Sequence, residues 1–547
     1  MLVLKKGFYG MFSIGEVLVT GENSRLSADL AIINANIRTM NPQLPIAQAV
    51  AVRNGKIILV GTNQEVRKAV GKKTKIIDLH GRTVVPGLID THVHVADFGR
   101  CLMWLDLTAA DSITEMQRLI REKAKQTPTG KWIIGCGWNE TRFKEKRLPN
   151  SADLDHAAPN NPLILYREAA MVCAVNGKAI SLAGVSEQTI VPAGGSVDKD
   201  AHVGKLTGIF RDTATSLVWQ AVPEPTVDEL VDAAALACRK IAEAGITSIH
   251  WILISQSELE LAKRLQAEGK LPIRVNVIVP QEFLNAATGF KSNGESMLHL
   301  GGVFITTDGY LDSKTAALTH PYSDDSANSG KMLLTQQKLA ASVDQAVTLG
   351  LQPVIHAMGD KAIATALKVI EKAEFKAAVR FRMEQAAVLN RHLITRLKAL
   401  GVIVSVQPTV IATEFAVWSA TTRLGDERAK LLHPLKTLLD EGIKVAGGSD
   451  CPMEPLYPML GVHEAVNRAS FPEQRLSVEE ALRMYTVDAA YCSSDEDAKG
   501  SIAEGKLADL TVLSQDPLAV EAGKIKDIRV EMTVINGKVV FDQLLNS

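Results

Sequence analysis

Two histidines in the amino-terminal part of the chain are spaced for metal binding. His92 and His94 lie two residues apart in the segment Pro86-Gly-Leu-Ile-Asp-Thr-His-Val-His94, and residues i and i+2 of a strand project from the same face. Two neutral imidazoles on one face are typical ligands of Zn²⁺ and of other divalent ions. The pair is a weak signal on its own, because a chain with 12 histidines can contain an H-x-H pair by chance.

Two more residues with metal-binding side chains end short apolar segments. His356 ends the segment Pro353–His356, and Asp450 ends Gly447-Gly-Ser-Asp450. A histidine or an aspartate at the end of a buried strand is costly unless it is paired or binds a metal. Together with the histidine pair, these residues predict one metal site with three imidazoles and one carboxylate.

The segments that carry these residues follow a repeating pattern of a helix, a glycine and a short apolar run. Leu230, Ala234 and Cys238 are spaced for one helical face, and Gly245 then precedes the run Ile246–Trp251. Glycine after a helix and β-branched runs are typical of parallel α/β folds, and eight such runs predict a (β/α)8 barrel. The predicted strands are Val84–His94, Ile246–Trp251, Ile273–Val279, Gly302–Thr307, Pro353–His356, Arg380–Gln385, Val402–Val406 and Ile443–Ala446.

The two ends of the chain differ from the barrel pattern. Residues 28–85 and about 500–547 alternate apolar and polar side chains, with hairpin signals at Asn54-Gly55 and Asn536-Gly537. These two segments predict one small β domain that is built from both termini. Residues 1–27 are predicted to be a short extension.

The barrel is assigned to residues 86–499, with a large insertion at about 100–225 after the first barrel strand. The insertion carries one further predicted strand, Leu163–Tyr166. Because it leaves the barrel at the carboxyl end of a strand, it is expected to lie over the barrel mouth, where active-site loops are found.

Composition excludes several classes of partner. The chain has 60 basic and 61 acidic side chains among 547 residues, a net charge of -1, so no overall charge favours nucleic acid or an anionic membrane. Six cysteines lack any C-x-x-C pair, which is typical of thiols in a reducing compartment, and no apolar run approaches the ~18 residues of a membrane span. We expect a cytoplasmic protein with a small-molecule substrate, and a homodimer is compatible with this.

Ordered motifs along nearly the whole chain resemble the amidohydrolase superfamily, and within it N-substituted formamide deformylase and similar family 3 amidohydrolases. The motifs are Val85-Pro-Gly-Leu-Ile-Asp-Thr-His-Val-His94, Asp308-Gly-Tyr-Leu-Asp-Ser-Lys-Thr-Ala316, Pro353-Val-Ile-His-Ala-Met-Gly-Asp360, Ser405-Val-Gln-Pro408, Arg423-Leu-Gly-Asp-Glu-Arg428, Gly448-Ser-Asp-Cys-Pro452 and Lys499-Gly-Ser-Ile-Ala-Glu-Gly-Lys-Leu-Ala-Asp509. The resemblance implies a metal-dependent (β/α)8 barrel with a urease-like composite β-sandwich. It also implies hydrolysis of a carbon–nitrogen bond other than a peptide bond, through a metal-activated water.

Three positions depart from the pattern of this family. The family's lysine, which is carboxylated and bridges two metal ions, is Phe304 here. The histidine of the sixth strand is Gln385, and a histidine of the insertion is Met171. Phenylalanine cannot bind a metal and an amide is a poor ligand beside imidazole, so the usual two-metal site is not expected.

The remaining set is His92, His94, His356 and Asp450, and it resembles the mononuclear site of cytosine and adenosine deaminases. This resemblance implies one divalent ion, with zinc expected first and iron or manganese as alternatives. Such an ion lowers the pKa of a bound water toward ~7. Asp450 is then the expected catalytic residue, because its carboxylate can accept a proton from that water and pass it to the leaving nitrogen.

Further polar side chains at strand ends are expected to contact the substrate, and they are Asp308, Gln385, Gln407 and His250. For His250 a structural role is an equal alternative. Two other functions stay open on the sequence alone. A deaminase of a heterocyclic amine would use the same ligands, and a barrel without catalytic activity, serving in binding or regulation, would account for Phe304 and Gln385.

Overall fold

Eight parallel strands form one sheet whose two edges meet. The structure is a computed structural model that describes residues 27–168, 171–287, 296–373, 379–417 and 419–544. The strands of this sheet lie in chain order, and we number them β1 Leu88–Val93, β2 Ile246–Ile252, β3 Arg274–Pro280, β4 Leu298–Thr306, β5 Gln352–Ala357, β6 Arg382–Gln385, β7 Ile403–Val406 and β8 Val445–Gly447.

The first and last strands of the sheet are joined at their carboxyl ends. Val93 forms a parallel bridge with Cys451, and the Asp450 N–H donates to the His92 carbonyl oxygen at 2.8 Å. The sheet therefore turns back on itself as a barrel, and the predicted (β/α)8 fold class is confirmed.

The way one helix passes into β2 shows how local sequence builds the barrel. The helix Val227–Glu243 begins at Thr226, whose hydroxyl accepts the Glu229 N–H in a capping box. Gly245 follows the helix with φ +81°, a conformation that residues with a Cβ rarely adopt. The chain then enters β2, in which all seven residues are buried.

Helices lie throughout the described chain, and those between successive barrel strands connect them. They are Asn63–Arg67, Val95–Met103, Ile113–Gln126, Ser151–Ala157, Gly177–Leu182, Ser216–Trp219, Val227–Glu243, Gln256–Ala267, Leu284–Ala287, Gln336–Thr348, Asp360–Lys372, Arg391–Ala399, Pro408–Ala416, Ala420–Leu424, Asp426–Ala429, Leu435–Asp440, Pro458–Asn467, Val478–Met484 and Val487–Cys492. Within the described residues, we find no helix with the length and apolar character that a membrane crossing requires.

The predicted first strand, Val84–His94, is in fact two strands. Thr83–Pro86 pairs within a terminal sheet, and β1 begins only at Leu88. Gly87 lies between them, at a point where an added Cβ would lie 2.3 Å from the Thr247 hydroxyl oxygen. The close approach to β2 thus requires glycine at the point where the chain changes sheets. The other barrel strands differ from their predicted bounds by at most a few residues.

Two further sheets are built at the ends of the chain. A six-stranded sheet combines strands from both ends, in the order Lys538–Asp542, Val530–Ile535, Leu510–Leu513, Thr83–Pro86, Asn36–Arg38 and Ile46–Ala47. A four-stranded sheet has the order Lys56–Gly61, Ala49–Arg53, Leu30–Ile33 and Lys75–Asp78. Ile32 and Val50 of the second sheet share one apolar core with Val512 and Val534 of the first. The bounds 28–85 plus 500–547 and 86–499 stay predictions, and the extension 1–27 lies almost wholly outside the described residues.

The insertion contains a sheet that the sequence analysis largely missed. Its six strands run in the order Ser196–Lys199, Leu206–Arg211, Val172–Val175, Leu163–Arg167, Ile133–Trp138 and Leu105–Asp106. Leu163–Arg167 is the one strand that was predicted, to within a residue. The strand Ile133–Trp138 escaped notice because Gly135 and Gly137 interrupt its apolar pattern, and glycine has a low strand propensity.

Candidate active site

Polar side chains from four barrel strands converge at the carboxyl end of the barrel. His92 lies on β1 and His356 on β5. Gln385 ends β6, and Asp450 follows β8 by three residues, with φ +61°. The carboxyl end of the strands is where barrel enzymes have their active sites, as predicted for these positions.

The imidazoles of His92 and His94 face one carboxylate. The Nε2 atoms of His92 and His94 lie 3.6 Å and 3.4 Å from the same Asp450 oxygen. One ligand atom from each of the three residues lies within 4.8 Å of the others, and the residues 27–168, 171–287, 296–373, 379–417 and 419–544 contain no other His, Cys, Asp or Glu group of this kind.

Both histidines are oriented through their other ring nitrogen. His92 Nδ1 lies 3.0 Å from Glu384 Oε2, and His94 Nδ1 lies 3.0 Å from the carbonyl oxygen of Ile252. Since an oxygen acceptor at Nδ1 fixes the proton there, the lone pair is left on Nε2, toward Asp450. A carboxylate or carbonyl behind each imidazole is the usual arrangement around protein metal sites.

The electrostatic support comes from a buried ion pair on β6. Arg382 and Glu384 are both fully buried and form a close ion pair. Burial raises the pKa of Glu384, but the Arg382 charge and the His92 hydrogen bond outweigh it and lower this pKa to about 2. Glu384 therefore presents a full negative charge to His92. The sequence analysis missed both residues. Two opposite charges at i and i+2 of a buried strand project from the same face and could have indicated an ion pair.

Asp90 fixes the relative position of the two loops that carry the ligands. Its Oδ1 accepts the backbone N–H groups of His92 and Ser449, each at 3.0 Å. Burial raises the pKa of Asp90 to about 6. Ser449 precedes Asp450, so this one carboxylate holds β1 and the loop after β8 in register. The sequence analysis did not single it out.

Asp450 has a low pKa in spite of its burial. Burial raises the pKa of this carboxyl, while the His92 and His94 imidazoles lower it by a larger amount, so the net pKa lies below the usual value. Asp450 is therefore ionised at neutral pH, as a metal ligand or a proton acceptor must be.

His356 lies in the same cavity but outside the tight group. Neither of its ring nitrogens has a hydrogen-bond partner, although the side chain is almost fully buried. Burial lowers the pKa of His356 to about 4, so the imidazole is neutral and has a free lone pair. Of the four predicted ligands, the structure brings His92, His94 and Asp450 within 4.8 Å of one another and places His356 beside them.

The cavity at this point has a volume of ≈ 300 Å³. Its wall includes the histidines, Asp450, Gln385, Tyr310 and Phe304. The Phe304 ring lies 6.1 Å from the His92 ring and 6.2 Å from the His356 ring, measured between centroids. An apolar ring therefore fills the space between two of the histidines, where the family has its lysine.

Gln385 is the one predicted substrate contact that lines the cavity. Its side chain is 3% exposed and its Oε1 has no hydrogen-bond partner. The backbone at Gln385 has φ +69°, so the residue is held in a conformation that is uncommon for a side chain with a Cβ. Met171, at the other altered position, is 59% exposed and does not line this cavity.

The other three predicted contacts lie behind the cavity wall. His250 Nδ1 lies 2.7 Å from an Arg382 nitrogen, and Gln407 donates to Glu384 Oε2 at 3.3 Å. Asp308 accepts the backbone N–H groups of Ala317, Met358 and Gly359 at 2.8–2.9 Å. None of these three residues lines the cavity, and each contacts other buried groups of the protein. His250 Nε2 and Gln407 Oε1 have no hydrogen-bond partner, and the substrate contacts of the three residues stay predictions.

The donor set fits one divalent ion. Two Nε2 lone pairs and a carboxylate oxygen face a common point, and the unpartnered His356 nitrogens lie beside it. Buried nitrogens without partners are rare unless an ion, water or ligand satisfies them. Imidazole with carboxylate is a ligand combination typical of zinc and of other first-row divalent metals.

Comparison with known proteins agrees with this fold. The model of the amidohydrolase family matches residues 75–541, so the chain belongs to the amidohydrolase family, whose fold is the barrel described above.

Individual relatives span nearly the whole chain. The Bacillus subtilis (strain 168) protein YtcJ, named as an amidohydrolase, is 33% identical over 522 residues, which are 93% of this chain and 98% of that protein. N-substituted formamide deformylase of Arthrobacter pascens is 29% identical over 538 residues, which are 94% and 98% of the two chains. The crystal structure of an uncharacterized metal-dependent hydrolase from Pyrococcus horikoshii has 30% identity and a TM-score of 0.72, over 90% of this chain and 99% of that one.

Proposed function

We propose that the protein is a hydrolase of a carbon–nitrogen bond other than a peptide bond in a small molecule, and that it uses one divalent metal ion, most simply zinc. The observation that carries the proposal is the convergence of His92 Nε2, His94 Nε2 and the Asp450 carboxylate. His356 completes the ligand set from the same cavity wall. Relatives that act on amide-type bonds support the reaction class.

The metal supplies Lewis-acid chemistry, which lowers the pKa of water and polarises a carbonyl group. The proton transfers depend on the side chains of the protein. Asp450 is ionised and lines the cavity, so it accepts a proton from the attacking water and passes it to the leaving nitrogen. The carbon–oxygen bond forms, the carbon–nitrogen bond breaks, and the products are a carboxylic acid and an amine.

Two altered positions shape the site for a single ion. Phe304 presents an aromatic ring where a bridging ligand is needed for a second ion. Gln385 can donate an amide N–H to the substrate, but it cannot carry a positive charge as a histidine can. The transition state is therefore stabilised by a neutral hydrogen bond at this position.

Metal content and hydrolysis together test the proposal. Purified protein is freed of metal with a chelator, reloaded with Zn²⁺, Fe²⁺ or Mn²⁺, and assayed against N-formyl amines, cyclic amides and heterocyclic amines. We expect activity to return when one metal ion is bound per chain, and we expect the reaction to release an amine. Asp450→Asn should lower kcat by at least 100-fold, while the exposed Asp440→Asn serves as a matched control.

The outcomes separate the alternatives. Ammonia release from heterocyclic amines alone would make the protein a deaminase. Absence of hydrolysis in every metal form would favour a barrel with a binding role, and equal activity of Asp450→Asn and the parent protein would exclude the proposed mechanism.

A further inference from the structure

A second cavity, of ≈ 190 Å³, adjoins the one that contains the histidines. Tyr310, Gln385 and Asp450 line both cavities, so these residues form the boundary between them. Asp450 is the group that would protonate the leaving nitrogen. Under the proposed function, the second cavity is therefore the space next to Asp450 that is open to the leaving group.

The second cavity has an acidic wall. Asp312, Glu414 and Glu454 line it in addition to Asp450, and we call these three carboxylates with Tyr310 the acidic subsite. Among the described residues that line the two cavities, none is a lysine or an arginine. A cavity whose charged lining residues are all carboxylates attracts cations and repels anions.

Glu414 has one oxygen without a partner. The side chain is 1% exposed, and its Oε2 lies 2.9 Å from His433 Nε2. Its Oε1 is buried and has no hydrogen-bond partner. The Arg468 guanidinium donates to the carbonyl oxygens of Leu432 and His433. An unpartnered carboxylate oxygen in a buried position is costly, and a donor from a ligand would remove that cost.

The spacing and the remaining wall indicate an organic cation. Of the described residues, only His92, His94 and Asp450 bring three ligand atoms within 4.8 Å of one another, so the acidic subsite lacks the clustered ligands of a typical protein metal site. Met358, Val410 and Met453 supply apolar walls, which suit a methylene chain. The Tyr310 ring can add a cation–π contact.

We propose that the acidic subsite binds a protonated amine, and that the preferred substrates are amides whose leaving amine carries a second, ammonium group on a short alkyl chain. This inference rests on the proposed function for the reaction and on the acidic subsite for the specificity. The reaction consumes the amide and one water and releases a carboxylic acid and a diamine.

Binding and turnover are measured with charge-matched probes. N-formyl-1,5-diaminopentane is compared with N-formyl-5-aminopentanol, which is neutral, and with N-formyl-6-aminohexanoate, which is anionic, using zinc-loaded protein. We expect kcat/KM for the cationic amide to exceed that for the neutral one at least tenfold, and the anionic amide to be poorest. Calorimetric titration with 1,5-diaminopentane and with 1,5-pentanediol gives a second readout, in which the diamine should bind at least tenfold more tightly.

Two variants connect the preference to the subsite. The Thr413 hydroxyl donates to Glu454 at 2.7 Å. Glu454→Gln keeps an oxygen that can accept this hydrogen bond and removes only the charge. It should reduce the diamine-to-diol affinity ratio by roughly tenfold, the effect of losing one charge-assisted contact. Glu414→Gln should act in the same direction. Glu260→Gln, on the exposed surface of the helix Gln256–Ala267, should leave the ratio unchanged.

The outcomes distinguish this inference from the proposed function. Preferential binding of the diamine without hydrolysis of any formamide would support the acidic subsite and contradict the proposed hydrolase function. Hydrolysis of all three formamides with equal kcat/KM, together with equal binding of diamine and diol, would contradict amine binding at the acidic subsite. The proposed hydrolase function would still be supported. An unchanged affinity ratio in both Glu454→Gln and Glu414→Gln would also contradict amine binding at this subsite.

Discussion

The orientation of His92 depends on one charged residue behind it. Glu384 contacts His92 Nδ1 at 3.0 Å, and Arg382 holds it ionised. A carboxylate in this position raises the basicity of a ligating imidazole, and its loss costs roughly 10–100-fold in metal affinity.

We therefore expect Glu384→Gln to weaken Zn²⁺ binding by about 10–100-fold, because the amide oxygen still accepts the hydrogen bond but carries no charge. Competition with a fluorescent chelator measures the affinity. Glu441→Gln, whose native side chain pairs with Lys398 on the surface, is the control. Equal affinities of Glu384→Gln and the parent protein would show that Glu384 has no electrostatic role.

The sequence identified the site residues whose positions are unusual and missed those that only support them. His92 and His94 stand out by their spacing of two residues, and Asp450 stands out because it ends an apolar run. Asp90 and Glu384 do not stand out, since their roles depend on the backbone of Ser449 and on Arg382, and only the folded barrel brings these groups together. The substrate contacts of Gln407 and His250 stay predictions, and in the folded barrel these side chains contact Glu384 and Arg382.

At the scale of elements, β2 and the helix after it are joined by a buried carboxyl group. Trp251 on β2 donates its indole N–H to Glu258 at 3.1 Å, in the first turn of the helix Gln256–Ala267. Burial, reinforced by the Asp97 charge, raises the pKa of Glu258 from 4.5 to about 7. The folded state thus binds the proton of the Glu258 carboxyl group more tightly than the unfolded chain does.

Between pH 4.5 and about 7 the folded state binds more protons at Glu258 than the unfolded state, so stability falls as pH rises through this range. We expect Glu258→Gln, which is neutral at every pH, to match the parent protein near pH 4.5 and to be more stable at pH 8, by on the order of 3 kcal/mol. Thermal unfolding midpoints across pH 5–8 measure this. A difference that does not grow with pH would contradict it.

The elements that could be predicted are those with a strong local signal. A helix, a glycine with positive φ and a short apolar run specify several of the barrel units locally, as around Gly245 and β2. The sheet of the insertion depends instead on short strands whose pairing is set by tertiary contacts. In Ile133–Trp138, an added Cβ at Gly135 would lie 2.8 Å from the Leu105 carbonyl oxygen, so the glycine that obscures the strand pattern is required by the neighbouring strand.

At the scale of the whole molecule, a buried ion pair joins the barrel to the terminal sheets. Arg274, at the start of β3, pairs with Asp509 at 2.6 Å, and both side chains are buried. Asp509 also accepts the backbone N–H of Asn536. Arg274 and Asp509 are 235 positions apart in the chain. The ion pair therefore links the barrel to a segment that is distant in sequence.

Removing the carboxylate should destabilise the protein strongly, because it breaks a buried ion pair between Arg274 and Asp509. We expect Asp509→Ala to lower the free energy of unfolding by about 3–5 kcal/mol, as seen in chemical unfolding. The exposed Asp527→Ala is the control, with a change of about 0.5 kcal/mol or less. A similarly small change in Asp509→Ala would show that this link does not hold the terminal sheets to the barrel.

The claim on which the proposed function rests is that a single ion binds between His92, His94 and Asp450. Crystals of the zinc-loaded protein, with diffraction data collected on both sides of the zinc absorption edge, test it directly. We expect one anomalous peak at the barrel mouth, in contact with the two Nε2 atoms and the Asp450 carboxylate. No peak at this position, or a second one beside Phe304, would contradict the single-ion site.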